Sequence, residues 1–402
     1  MVNRPILLTF NPGSSTIKLG LFAMDAAGPV RLGHGAIDLS QSALTLSLVE
    51  AGKATDIPLS SRPDGDLHAV IEEMLVQLTS HFALDDIAAA GHRVVHGGDR
   101  FSGPTLITDE TLAAIEGLVP LDPLHQPQSV ALIKAVAHLR PRMRQTASFD
   151  TAFHRSQSDL LRRFALPRAL FDEGVKHFGF HGLSYRFVAA ELARLYPDIA
   201  KGRVVVAHLG SGASLCALEG GVSRDTTMSF STLDGVPMAT RCGTLDPGVV
   251  IHLVKQRGWS IEQVEDVLYH RSGLLGVSGI SGDTRALCAS DDPKAKEALD
   301  LFAFRVSREV AALANTLRGL DAIVFTAGIG EHQPEVREAI CNRLAWLGVA
   351  IDAAANAANR PRIDAAASTV AVLVMATDEE QVIADEAYAL LLPPTDGPSE
   401  PA

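Results

Sequence analysis

The sequence predicts an α/β protein of two domains, on three observations. A strand, a Gly/Ser-rich turn and a second strand open the chain (PILLTFNPGSSTIKLGLF) and recur in its second half (GRVVVAHLGSGASLCALEGG). Through the later chain, apolar strand runs alternate with segments of helical apolar spacing, the βα pattern of a layered sheet. The 402 residues, 47% of them hydrophobic, suffice for two cores at about 100–200 residues per domain.

The elements follow in order. Ile6–Phe10 and Ile17–Phe22 are β-prone runs on either side of NPGSST, and Leu44, Leu46 and Leu48 alternate with polar residues as in a strand. Residues 66–82 carry helical spacing (Val70, Ile71, Met74, Leu75, Leu78). IAAAGHRVVHGG then reads as a strand closed by Gly97 and Gly98. Helices are expected over 109–118 and 129–139, and QTASFDTAFH reads as a strand end carrying Asp150, where we place the domain boundary. The second domain opens with FGFHGLSYRFVAAELARLY, a loop feeding a helix. Helices over 260–269, 294–318 and 334–347 follow, with buried strands AIVFTAG and TVAVLVMAT. The two hairpins, with Thr16 and Ser214 in equivalent places, suggest a duplicated core.

Composition excludes several function classes. A net charge of −12 with no strongly basic stretch argues against nucleic acid or an anionic membrane as partner. The four cysteines are far apart with no C-x-x-C pair, which suits a reducing compartment and offers neither a disulfide framework nor a structural zinc set. No signal-peptide run or apolar span is present, so a cytoplasmic protein is expected.

Three Gly-rich loops follow apolar strands: NPGSST, HLGSG at 208–212 and TAGIGEH at 326–332. Clustered backbone N–H groups at such turns suit phosphate, whereas one such turn alone is commonly only a turn. Neither a P-loop nor a complete dinucleotide fingerprint occurs. His92 and His96 have i, i+4 spacing, but a strand would set them about 13 Å apart, too far for shared metal ligation. On that strand Arg93 and Val95 share a face, suited to a carboxylate with a short alkyl group or simply to a surface arginine beside a core valine. Asp150 suits either magnesium held through water or a helix cap. His181 sits where neither period runs, as a site residue or a hydrogen-bonded loop histidine. Asp283 and Arg285 offer a ribose acceptor and a base-stacking cation, or a plain helix start. Glu379 follows a strand and opens a helix, a position open to metal binding or to neither role.

Together, NPGSSTIK, GHRVVHGG, PLHQP, FDTAFH, FGFHG, HLGSGAS, DTTMSFSTLDGVPMATRCGTLDPG, SGDTRAL, FTAGIGEH and TDEE resemble, in order, the motifs of acetate kinases, from Asn11 to Glu379. The resemblance implies the two-domain actin-like ATPase fold of the acetate and sugar kinase/Hsp70/actin superfamily, with a duplicated βββαβαβα core. Its domains would be 1–149, rejoined by the helix after about 380, and 150–380, with a cleft between them. Residues 393–402, within PPTDGPSEPA, are expected to be a disordered tail.

The resemblance also implies ATP/ADP as co-substrate, Mg2+ (or Mn2+), acetate as substrate and a homodimer. Asn11 and Glu379 match the metal positions, and Asp150, His181 and Arg241 the catalytic ones. Arg93 matches the substrate-binding arginine; Val95, Leu124 and Phe180 match the pocket for the acyl methyl group. Lys18, His208, Leu209, Gly210, Ser211, Gly212, Asp283, Thr284, Arg285, Gly328, Ile329, Gly330, Glu331 and His332 match nucleotide positions. The chain departs from the pattern at Pro12, Thr16, Gln126, Leu183, Tyr185, Ser211, Thr232 and His332. Thr232 replaces a pocket proline, which leaves propionate or butyrate open beside acetate; a non-catalytic ATP-dependent switch is the reading from a different class. In an acidic protein handling anionic substrates, Lys18, Arg93, Arg241, Arg285 and Mg2+ are the positive charges expected at the cleft.

Overall fold

The structure is a computed structural model and describes residues 5–391 apart from 14–15, 40, 42, 62–66 and 79–85. Ser14 and Ser15 of the first turn, both ends of the helix expected over 66–82, and the tail expected to be disordered lie outside the described residues. Two compact units are present: residues up to Ala152 together with those from Asp378 onward, and Phe153–Thr377.

The first unit is built on strands β1 (Ile6–Pro12), β2 (Thr16–Asp25), β3 (Gly28–Asp38), β4 (Thr45–Glu50), β5 (Lys53–Pro58), β6 (Ile87–Val94), β7 (Thr105–Leu106) and β8 (Arg144–Phe149), in the order β5-β4-β3-β2-β1-β6-β8-β7. The second carries β9 (Arg203–Leu209), β10 (Ala213–Glu219), β11 (Val222–Thr226), β12 (Ala322–Thr326) and β13 (Ala371–Val374), in the order β11-β10-β9-β12-β13. The run β3-β2-β1-β6-β8 repeats this second order, with two antiparallel links followed by two parallel ones in each. That common order is the duplicated core.

Strand sequences match their places. β1 is buried along its whole length, as a central strand with a parallel neighbour must be, and opens on the apolar run Ile6–Leu8, with Thr9 and Asn11 as its polar members. β5 (KATDIP) is an exposed edge. The helix Pro293–Leu317 begins on the cap Asp292, which accepts from the Lys294 N–H, and buries Phe302, Val306, Val310, Leu313 and Leu317 at helical spacing. Among the described residues no helix is long and apolar enough to cross a membrane.

The helix Glu379–Leu391 packs Ala384, Ala387 and Leu391 against Leu7, Phe22 and Ala89 of the first sheet. Gly91 permits this approach, because a Cβ there would lie 2.8 Å from Ile383 Cγ2. Gly91→Ala should therefore lower stability by about 1–3 kcal/mol, the cost of overpacking a rigid β-branched neighbour. An unchanged denaturation midpoint would show that this helix is free to shift.

Four expectations are corrected. The strand through HRVVH stops at Val94. The Gln126 amide accepts from the His96 N–H (3.1 Å) and donates to its carbonyl (3.0 Å), supplying partners that a strand would take from its neighbour. TAGIGEH is not a loop: β12 ends at Thr326 and Ala327–His332 is a short helix, entered through the left-handed Ala327 (φ 64°). The strand in TVAVLVMAT is confined to Ala371–Val374. The helix expected over 334–347 ends at Arg343, and a 3-10 turn, Ala345–Leu347, closes it before Gly348 (φ 86°).

Candidate active site

In the first unit the chemistry gathers at the C-terminal ends of the parallel strands β1, β6 and β8, where open α/β sheets bind ligands. Arg93 is the penultimate residue of β6 and Asp150 immediately follows β8. The guanidinium grips the carboxylate through Nη2 to Oδ2 (2.6 Å) and Nε to Oδ1 and Oδ2 (3.3 and 3.2 Å). Its Nη1 donates to Asn11 Oδ1 and to the Pro12 carbonyl, both at 3.1 Å. Burial opposes the Arg93 charge, but Asp150 and Glu379 outweigh it and hold the group protonated. Of the two readings of Asp150, the structure shows a third: counter-ion to Arg93.

Asn11 Nδ2 donates to Glu379 Oε2 (2.8 Å) and Glu380 Oε1 (2.7 Å). The Glu380 carboxyl is pushed up by burial and by repulsion from Glu379 and Asp378, against the pull of Lys18 and Asn11. Carboxylates crowded in this way suit a hard divalent cation with oxygen ligands. Among the described residues no group of three or more His, Cys, Asp or Glu is arranged to hold a metal alone. Magnesium bound with a nucleotide does not require one, since phosphates and water complete its shell. Lys18 stands opposite Asn11 on β2 and is exposed.

Val95 is buried just past β6 and Leu124 is largely exposed, both in this unit; Phe180 is buried in the other. His92 stacks on Phe10 and donates from Nε2 to Gln145 Oε1, while His96 Nδ1 accepts from the Gly98 N–H. Burial holds both imidazoles down at about 4, so they are neutral packing and turn groups.

In the second unit His181 caps the helix Gly182–Leu195 from the left-handed region (φ 56°), a conformation non-glycine residues adopt at a cost. Its surroundings impose it. Gly179 (φ 87°) lies against the His154 ring so closely that a Cβ would fall 2.6 Å from it, and His154 Nε2 donates to the Phe180 carbonyl at 2.9 Å. Burial depresses His154 to about 3, so this strap stays neutral. The His181 ring stacks on His208 of β9, with centroids 4.3 Å apart. Ser214 Oγ lies 2.8 Å from His181 Nδ1, and Ser184 Oγ lies 2.7 Å from His208 Nδ1.

Arg241 sits in the loop after β11. Backbone bonds fix that loop: Met238 N–H to the Arg241 carbonyl, Cys242 N–H to Leu268 and Ser272 N–H to Thr240. Gly273 (φ 60°) allows the next segment to press on it, since a Cβ would fall 2.1 Å from the Met238 carbonyl. Arg241 Nη1 donates to the Thr232 carbonyl at 3.1 Å. His181 Nε2 and Arg241 Nη1 converge, 3.4 and 3.9 Å from where a Cβ on Gly212 would stand. Gly212 keeps that space clear.

Beside them a groove of about 880 Å³ brings together Gly210, Ser211, Asp283, Thr284 and Arg285 with Gly328, Ile329 and His332. It has the size of a small-molecule site. His208, Leu209, Gly212, Gly330 and Glu331 are not on its wall. Asp283 caps its helix and pairs with the exposed Arg285 (2.7 Å), so this cation is already matched, though only by a weak surface pair.

Comparison with known proteins decides the family. The Acetokinase family profile matches residues 6–385. An acetate kinase of Methylocella silvestris is 42% identical over 394 residues, covering 96% of this chain and 98% of its own; one of Rhodopseudomonas palustris is 44% identical over 395 residues with the same coverage. The chain belongs to the acetokinase family. It is accordingly a kinase, a phosphotransferase with a carboxyl group as acceptor. The crystal structure of a propionate kinase from Francisella tularensis superposes with a TM-score of 0.88 at 34% identity, covering 95% of this chain and 98% of that one. The acetate kinase of Porphyromonas gingivalis gives 0.85 at 32%, covering 96% and 100%. The fold is thus the actin-like ATPase fold of this family.

Two positioning groups of this acetokinase carry no signal in the sequence that marks their role. Arg337 is fully buried, donates to the Gly330 carbonyl (2.9 Å) and to Asn356 and Asn359, and so secures the helix lining the groove. His154 does the same for the His181 loop. Arg337 lies outside the Gly-rich and strand-end motifs, and His154 closes FDTAFH, where Asp150 carries the stronger signal.

Proposed function

We propose that this acetokinase transfers the γ-phosphoryl group of ATP directly to acetate, reversibly, giving acetyl phosphate and ADP. The observation that carries the reading is the convergence of His181 Nε2 and Arg241 Nη1 on Gly212, beside the 880 Å³ groove. An imidazole and a guanidinium brought close together suit a transferring phosphoryl group, because catalysis of this step is mainly positioning and charge neutralisation.

A short carboxylic acid has a pKa near 4, so at pH 7 its attacking oxygen is ionised and needs no general base. Asp150 therefore acts by fixing the Arg93 fork. The bonds to Asp150, Asn11 and Pro12 use four of the five Arg93 N–H groups, and the remaining one on Nη2 would take the substrate carboxylate. Asn11, Glu379 and Glu380 form the donor set that would hold Mg2+. When bound, the ion would neutralise charge on the nucleotide phosphates. The groove residues, with Lys18, His208, Leu209, Gly212, Gly330 and Glu331 in support, would bind the nucleotide; Val95, Leu124 and Phe180 would contact the acyl chain. The enzyme would work in the cytoplasm as a homodimer.

Acetate is favoured over propionate because the relatives at 42–44% identity are named acetate kinases. Thr232 favours the second reading, since replacing a pocket proline reshapes the wall against the acyl chain. Pocket selectivity for one methylene is worth only about 1–3 kcal/mol. Hydroxamate assays with acetate, propionate and butyrate should give acetate the highest kcat/KM. A higher value for a longer acid would reassign the substrate.

A further inference from the structure

Tyr185 is fully buried on the helix that His181 caps, and its hydroxyl bonds to Ser214 Oγ, which in turn lies 2.8 Å from His181 Nδ1. A phenol is far more acidic than an aliphatic alcohol, so it is the better donor and poorer acceptor. Tyr185 then donates to Ser214, and Ser214 donates its own proton onward to His181 Nδ1. An imidazole nitrogen that accepts carries no proton, which places the ring proton on Nε2. Nε2 is the edge that meets Arg241 Nη1 across Gly212.

We infer that Tyr185 and Ser214 are positioning residues that set the tautomer of His181, so that a neutral imidazole presents Nε2–H as a hydrogen-bond donor to the transferring phosphoryl group. The inference rests on the acyl-kinase reading above. Other contacts make the arrangement rigid. His154 closes on Tyr185 edge-to-face (centroids 5.7 Å) while holding the Phe180 carbonyl. His208 is anchored through Nδ1 by Ser184 in the same manner, so the two stacked rings are pinned along the same edge. A neutral donor of fixed direction suits a group whose partner Arg241 already supplies the positive charge.

The full chain labelled with 15N-histidine tests this by long-range 1H–15N correlation, together with steady-state kinetics, on the wild type, Tyr185→Phe, Ser214→Ala, Ser214→Thr and His181→Ala. His181 should appear as the Nε2–H tautomer in the wild type and as a tautomer mixture in Tyr185→Phe. The kcat of Tyr185→Phe should fall about 10–100-fold, as when an orienting hydrogen bond to a working histidine is lost. KM for ATP should change little, because the groove is untouched. Ser214→Ala should do the same and Ser214→Thr, which keeps the hydroxyl, should restore both signals. A wild-type Nδ1–H tautomer, or a Tyr185→Phe variant with unchanged tautomer and kcat, would overturn the inference. Near-normal turnover by His181→Ala would instead overturn the role given to His181 in the acyl-kinase reading, an outcome separable because the tautomer is read without turnover.

Discussion

Arg241→Ala is expected to lower kcat for acyl phosphate formation by about 10³-fold or more while leaving the fold intact. The size follows from removing a guanidinium that neutralises transition-state charge on a phosphoryl group, a contribution worth about 10³–10⁵ in related chemistry. The fold should survive because backbone bonds hold the loop beside the Nη1 bond to the Thr232 carbonyl that the variant loses. Its geometry comes from the backbone bonds of Met238, Cys242 and Ser272 and from the close approach at Gly273. Arg241→Lys should fall between the two, keeping charge but losing the planar fork. Circular dichroism and a melting curve check the fold, and single-turnover kinetics the step. Near-normal turnover by the alanine variant would remove Arg241 from the mechanism.

Asp150→Ala is expected to damage both stability and activity. The pair with Arg93 is almost wholly buried, with the carboxylate side chain only 1% exposed. Removing one partner of a buried ion pair leaves an unmatched charge, at a cost of about 3–5 kcal/mol. It also frees the guanidinium from its bidentate seat, so the KM for the acid should rise as kcat falls. Asp150→Asn keeps an acceptor for Arg93 and should lose less stability than the alanine variant. If Asp150 were instead a proton-transfer group, Asp150→Asn would abolish turnover without loosening acid binding, which separates the roles.

The sequence made the sheet readable wherever local pattern and tertiary place agreed. β1 and β9 are apolar runs stopped by Gly/Ser turns, and the order they seed is the one both sheets share. It failed where a distant partner rewrites the local signal. HRVVH looks like continuous strand because nothing nearby shows that the Gln126 side chain, thirty residues on, takes over the His96 backbone. TAGIGEH looks like a loop because its glycines hide a helix whose Gly330 carbonyl is held by Arg337. At the site, strand-end residues such as Asn11, Arg93 and Asp150 were legible as candidates because parallel strands deliver their C-terminal ends to one edge. Their mutual pairing was not, since it depends on register between strands far apart in sequence. The bond between the Tyr185 and Ser214 hydroxyls was hidden too, since it joins a helix to a strand 29 residues on.

Direct phosphoryl transfer to a carboxylate is read in the stoichiometry of acyl phosphate and ADP formed from ATP, Mg2+ and acetate. One acetyl phosphate, trapped as the hydroxamate, is expected for each ADP released. ADP release without acyl phosphate, or no ADP at all, would contradict it.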